Sequence, residues 1–397
     1  MDDSYNQELR RAWDEFCDDL KAAADMVFRD TAPDTDLDRA TGIQYISRYI
    51  TKALARELEY ADPLFPQLRL LQTPTSKNFG DNPDCTYLVA RIDGAHTYRI
   101  VGNRGTVHWV RVNVKGPTTN SFLADEDLVV EWDGSFVITL SPDEHSDNWI
   151  KTAPGVSQVM IRQFFGSWES ETPLSARIER VGAEQEVPSA LTSESLVSSL
   201  AAAGKWLRAD SVRWPDYLDY FEEKGSNQFH AGSPDGALSS GVEGSQRLSG
   251  RRVNFCRFEV QPDEAMLIEF TPPTCRFWTF ELNNYWMMSV DYRYHISSLN
   301  FHNAVAEADG SYVIAVSSSD SGLVNWLDPA GHGSGLIINR WVDAADDLNH
   351  IPATRIVKLA NIDAACPNAR RRSAQQRREQ LRALKVGVDR RFGRMGV

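Results

Sequence analysis

One stretch of this sequence occurs twice. Residues 133–165 read DGSFVITLSPDEHSDNWIKTAPGVSQVMIRQFF, and residues 309–341 read DGSYVIAVSSSDSGLVNWLDPAGHGSGLIINRW. Asp133-Gly134 matches Asp309-Gly310, Asn148-Trp149 matches Asn325-Trp326, Arg162 matches Arg340, and Arg177-Ile178 matches Arg355-Ile356, at an offset that drifts only from 176 to 178. Upstream, Trp109 is aligned with Trp278. Anchors repeated in one order point to two copies of one structural unit. Within each copy, Asp-Gly reads as a turn and the aromatic-aliphatic run after it as a strand, with further strand-like runs following. The expected fold is therefore mainly β with helical additions: two consecutive jelly-roll-like antiparallel β-sandwiches, at 81–185 and 251–362, of about eight strands each. Residues kept in both copies, among them Asn148, Trp149, Asn325, Trp326, Arg162 and Arg340, are assigned to sandwich construction, since function concentrates on loops that a scaffold holds.

The flanks change period. An N-terminal helical region (1–80) carries Leu9, Trp13, Phe16, Leu20 and Ala24, then Ile43, Ile46, Ile50, Leu54 and Leu58, at the three- and four-residue spacing of two amphipathic helices. Inside the first β region, Asp93-Gly94 reads as a hairpin turn and Leu128–Trp132 as a strand. The segment 186–250 is expected to hold a helix capped by Thr192, a second helix opening at Pro215 and stopping at Gly225, and a long loop from Gly225 to Gly250. The remainder (363–397) reads as a basic helix or tail with Leu381, Leu384 and Val388 along one edge.

Charge and composition narrow the function classes. The chain has 397 residues and a formal charge of −13, yet Pro367–Val397 alone carries ten Lys or Arg against two acids, so the rest is strongly acidic. An acidic body disfavours nucleic acid, and the basic tail is expected to dock on that body or on a partner subunit, which allows a homo-oligomer joined through this helix. No uncharged apolar run approaches twenty residues and the first thirty have no signal-peptide core, so no membrane association is expected. Five scattered cysteines without a CxxC pair suggest reduced thiols and a cytoplasmic location.

The run FWTFELNNYWMMSVDYRYHISSLN, followed by ADGSYVIAVSSSD, NWLDPAGHGSGLIINRW and a closing RIVKL, resembles the C-terminal domain of bacterial proteins grouped as domain of unknown function 1214. The resemblance covers roughly 277–359. It implies a jelly-roll-like sandwich with helical additions and carries no activity with it. Where many relatives have Pro after Asn-Trp-Leu, this chain has Asp328.

Chemistry is sought in what the second copy adds. Trp109 to Asp133 spans 24 residues, whereas Trp278 to Asp309 spans 31, and the longer segment holds Trp286, Asp291, Tyr292, Arg293, Tyr294, His295 and His302. After Asn325-Trp326 the second copy adds Asp328 and His332, where the first has Lys151 and Gly155. A histidine oriented by a carboxylate suits general acid–base work, so His332 with Asp328, and His295 with Asp291, are the candidate catalytic pairs. Arg293 would hold an anionic or carbonyl group, and Tyr292, Trp286, Tyr294 and His302 would complete a ligand wall. These residue types also serve as packing and turns. Nucleotide loops, HExxH and GxSxG are absent, and no metal set or organic cofactor is indicated. The reading is a hydrolase or lyase, cofactor-independent or metal-assisted, acting on a small, partly apolar or sugar-like metabolite. The alternative is a non-catalytic ligand-binding or assembly protein on the same scaffold.

Overall fold

The computed structural model describes residues 4–116, 121–232, 251–345 and 350–393. Four sheets form two sandwiches of the same topology. The first contains β1 (Arg69–Leu70), β2 (Cys85–Arg91), β3 (Tyr98–Asn103), β4 (Trp109–Lys115), β5 (Phe122–Ala124), β6 (Ser135–Ser141), β7 (Trp149–Lys151), β8 (Gln158–Phe164) and β9 (Ser175–Arg180). The second contains β10 (His230–Ala231), β11 (Arg251–Glu259), β12 (Glu264–Phe270), β13 (Cys275–Asn283), β14 (Ser298–Asn300), β15 (Tyr312–Val316), β16 (Trp326–Leu327), β17 (Ser334–Ala344) and β18 (Ala353–Lys358). Their sheet orders are β1-β2-β8-β4-β5 with β7-β6-β3-β9, and β10-β11-β17-β13-β14 with β16-β15-β12-β18. Each strand of the first thus has a counterpart nine strands later.

The duplicated letters build duplicated contacts. The Asn148 amide donates to Val129 O and accepts from Val129 N, and Asn325 does the same with Val305. Each following indole donates back to a strand carbonyl, Trp149 to Ser141 and Trp326 to Ser317, and each short strand pairs in parallel with its neighbour. Because Asn148 satisfies both backbone groups of Val129, the segment 128–132 needs no ladder and is not the strand the sequence suggested. Asp93-Gly94 is likewise not a hairpin turn, since β2 pairs with β8 and β3 with β6 and β9, leaving this turn to carry the chain between sheets.

The two five-stranded sheets face each other. On β4, Val110, Val112 and Val114 enter the first core, while Trp109 faces outward. On β13, Trp278, Phe280 and Leu282 enter the second core, while Phe277 faces outward. Arg162 is opposite Arg111, and Arg340 is opposite Thr279, so Trp109 corresponds to Phe277 rather than to Trp278. A slip of one residue exchanges the faces of a strand. The contact surface joins Trp109, Phe164, Phe277, Val342 and Cys85, and beside it lies a buried Glu281–Arg340 ion pair. Burial pushes the Glu281 carboxyl up, and the charge of Arg340 opposes the shift.

Three helices cover the rest of the second sandwich's outer face: α1 (Ser4–Asp25), α2 (Asp36–Leu54) and α3 (Ser193–Lys224). Leu207, Leu218 and Phe221 of α3 and Tyr45 and Tyr49 of α2 pack with Val253, Phe255, Leu336 and Ile338 of the sheet. The inward face of α2 is therefore the Tyr45, Tyr49 and Ala53 stripe, and Ile43 is exposed. On α1, Ala12, Phe16 and Ala23 are buried and Trp13 is exposed. Thr192 caps α3 in a capping box with Ser195. Pro215 does not open a new helix. It lies inside α3, and the Ser211 carbonyl that its missing N–H would leave unpaired accepts from the Tyr45 hydroxyl at 2.8 Å. Of the loop expected over 225–250, residues 233–250 lie outside the described residues. The C-terminal helix α4 (Ala374–Gly393) docks on its own chain: Val388 is fully buried, Leu381 and Leu384 pack on the cores, and buried Arg391 lies 3.9 Å from the Trp168 ring and donates to Pro83 O. No described helix is long and apolar enough to cross a membrane.

Candidate functional site

The loop between β13 and β14 (284–297) is eight residues longer than its counterpart between β4 and β5 (116–121). The extra length crosses toward α2. Asn284 Oδ1 accepts from the backbone of Trp286 and Met288, turning the chain so that Met287 takes a positive φ of 52°. Trp286, fully buried, then inserts against α2, where it stacks on Tyr45 and donates to Asp38 O at 2.8 Å. Gly42 makes this approach possible, since a Cβ there would stand 2.7 Å from the indole.

Above Trp286 the helix, the turn at 74–77, the long loop and the 330–332 turn enclose a cleft of about 330 Å³. Asp291, Arg293, Tyr294 and His332 line it, joined by Arg48 and Lys77. At its edge, Asp328 Oδ1 accepts from Ala330 N, Ala330 and Gly331 both adopt positive φ, and His332 N closes on Pro329 O. This tight turn delivers the His332 ring, 6% exposed, to the first turn of α2.

The pairs formed there are not those suggested by sequence separation. His332 Nδ1 lies 2.7 Å from Asp38 Oδ1, and His295 Nδ1 lies 2.8 Å from Asp328 Oδ2. Asp38 also accepts from the Thr35 hydroxyl at 2.6 Å. Burial alone would raise the Asp38 carboxyl, but the bonds from His332 and Thr35 outweigh it and hold the group below its ordinary range. An ionised Asp38 accepts a hydrogen bond from a proton carried on His332 Nδ1, and in that tautomer the ring's lone pair lies on Nε2. For His295 the hydrogen bond to Asp328 is the largest influence and raises the imidazole above its ordinary value, against desolvation. Asp291 accepts from Arg293 N in a turn, and its charge adds to that of Asp328 in raising His295.

Three cations line the cleft. Arg48 donates to the Met288 sulfur, at 3.0 Å; burial lowers its affinity for a proton, while the charge of Asp81 opposes that shift. Lys77 donates to the carbonyls of Ser289 and Val290, sits 4.2 Å above the Tyr292 ring, and is pushed down to about 8 by burial. Arg293 is anchored by Asp389 of α4 at 2.9 Å, and its buried Nε has no hydrogen-bond partner among the described residues. Against these three stand one lining carboxylate, Asp291, and two outside the lining, Asp389 on Arg293 and Asp81, whose charge acts on Arg48 and Lys77.

Other expected positions fall outside the lining. Trp286 and Tyr292 are packed in the interior, Tyr292 edge-on to Trp168. His302 sits exposed after β14, its backbone N donating to Asn300 Oδ1. His295 and Asp328 form the rim pair just described. No group of three or more His, Cys, Asp or Glu among the described residues is placed to hold a metal ion.

A family model described as "Protein of unknown function (DUF1214)" matches residues 261–341. A crystal structure of an uncharacterised protein from Burkholderia cenocepacia is 35% identical, covers 90% of this chain and 99% of its own, and superposes with a TM-score of 0.83. The chain belongs to the DUF1214 family. A crystal structure from Vibrio parahaemolyticus aligns at 12% identity over 86% of this chain and 100% of its own, with a TM-score of 0.45. No curated protein matches. The family-model match contains the long loop and the His332 turn, whereas Asp38, Arg48 and Lys77 come from segments before it. Sequence spacing had no signal for these three. The one local cue was Asp38 in the cap sequence Thr35-Asp36-Leu37-Asp38, a placement that ordinary helix capping also explains.

Proposed function

We propose that the cleft binds a small organic anion with a partly apolar body, and that His332, oriented by Asp38, moves a proton in its cleavage. The carrying observation is the 2.7 Å His332–Asp38 contact in a cleft that presents Arg48, Lys77 and Arg293. Arg48 and Arg293 hold the carboxylate or carbonyl oxygen, while Leu37, Met288 and Val290 supply apolar wall. His332 Nε2 accepts a proton from an attacking water in a hydrolase, or from carbon beside the carbonyl in a lyase. Neither step draws on an organic cofactor. The five unpaired cysteines support a reducing, cytoplasmic setting.

The second reading is non-catalytic ligand binding. It is favoured by the burial of both dyad members, Asp38 at 3% and His332 at 6% exposure, which suits a clamp between the helical layer and the sandwich. Turnover of a panel of carboxylate esters, amides and hydroxy acids separates the two. For a proton-transfer role, His332→Asn lowers kcat by about 10²–10⁴ with the fold intact, and Arg48→Ala chiefly raises KM. Ligands that bind the wild-type protein without turnover, and bind His332→Asn equally well, would establish the second reading.

A further inference from the structure

A larger cavity lies one helical turn further along α2. Its volume is about 520 Å³, and it opens between the end of α2, with the π-helical turn Ala55–Glu59 that follows, and the edge of the first sandwich at β1. No residue lines both this cavity and the cleft. The wall is mixed, with the side chains of Leu68, Leu70 and Leu71 on its apolar part, and two cations, Lys52 and Arg69, line the same space.

Neither cation has a carboxylate partner at ion-pair distance among the described residues. Lys52 is 4% exposed, and its ammonium donates to the Leu71 carbonyl. Arg69 lies 5.2 Å over the Tyr60 ring. The nearby acid Glu57 is already paired with Arg56 and Arg91. Burial pushes the Lys52 amine down to about 7; the charge of Asp81 opposes that shift, and the like charges of Arg69 and Arg48 add to it. A buried ammonium near a guanidinium, neither in direct contact with a carboxylate, is unfavourable in the free protein, and an anion between them reduces that penalty.

We propose that this cavity is a second ligand site, for an amphipathic monocarboxylate: the carboxylate bridges Lys52 and Arg69, and the hydrocarbon body lies along the half-buried Leu68, Leu70 and Leu71. The mixed lining selects against the alternatives. A bare inorganic anion leaves the leucines wet, and a neutral alcohol leaves the two cations without a direct ion-pair partner. Each methylene placed against these leucines strengthens binding, so chain length as well as charge sets the affinity. This site uses none of the residues assigned to proton transfer.

Calorimetric titration of the full chain with octanoate tests the assignment, with acetate, inorganic phosphate and octanol as companion probes. Octanoate is expected to bind at least tenfold more tightly than any of the other three. Lys52→Met and Arg69→Met should each weaken octanoate at least tenfold, while His332→Asn leaves it unchanged. Thermal melting provides the fold control: replacing the buried ammonium by an isosteric thioether should leave the unliganded melting temperature unchanged or higher, and octanoate should raise it only in chains that keep both cations. Octanoate no tighter than acetate, phosphate or octanol, or equal binding to the Lys52→Met and Arg69→Met chains, would overturn the proposal. So would loss of octanoate binding in His332→Asn, which would place the ligand in the cleft instead.

Discussion

Asp328 uses its two oxygens for different tasks, one closing the turn that aims His332 and the other holding His295. The His295 imidazole is raised in the folded chain, so its pairing stabilises the fold fully below the unfolded value of about 6.5, and that contribution is lost as pH rises through the folded value. Asp328→Asn should therefore lower the His295 titration midpoint followed by NMR, and the deficit in melting temperature relative to wild type should be larger at pH 6 than at pH 9. An unmoved midpoint would show that Asp328 does not act on the ring. The residue types at this site were legible in the sequence, but the pairs were not. Aspartates four residues from each histidine were the natural candidates, yet a tight turn spends its near carboxylate on its own backbone, and each imidazole met an acid more than thirty positions away.

At the scale of elements, α2 and α3 share a polar contact that a helical pattern conceals. Tyr45 compensates the proline-broken turn of α3. Tyr45→Phe should strand the Ser211 carbonyl and cost about 1–3 kcal/mol in denaturant unfolding. In a Pro215→Ala background the new N–H can take over that carbonyl, so the same substitution should cost distinctly less; equal costs in both backgrounds would refute the compensation. Proline is a strong helix-breaking signal in isolation, and only a hydroxyl from another helix makes the uninterrupted α3 intelligible. The stripe of α2 was legible in part. Ile46 is buried and Ile50 and Leu54 pack on the same core, but the helix also turns inward Asp38, Tyr45, Tyr49 and Lys52, polar groups whose partners come from distant segments. Strand periodicity was more faithful, because one sheet face meets a core whatever the other face meets. Even there, Trp109 and Trp278 were matched as letters although they lie on opposite faces of their strands.

For the whole molecule, the repeat in the sequence carried the architecture, and the seven extra residues counted in its second copy located the long loop of the cleft. What the repeat could not convey is how the halves meet. The Glu281–Arg340 pair lies in that contact, and removing one member leaves a buried charge, with a cost of about 3–5 kcal/mol. Glu281→Ala should lower the unfolding free energy by that amount, and Glu281→Met combined with Arg340→Met should recover most of it. A double variant no better than the single one would mean that the pair is not a coupled unit.

The meeting of the two sandwiches places matching positions, Trp109 with Phe277 and Phe164 with Val342, in one apolar cluster. Such an arrangement has the form of a two-fold dimer contact whose partners are tethered in a single chain. Tethering replaces protein concentration by a fixed effective concentration, of millimolar order for a short linker. Dilution therefore does not part the halves, and the contact between them can carry a buried ion pair beside its apolar cluster without the large apolar area that two separate chains would need to remain associated in a cell.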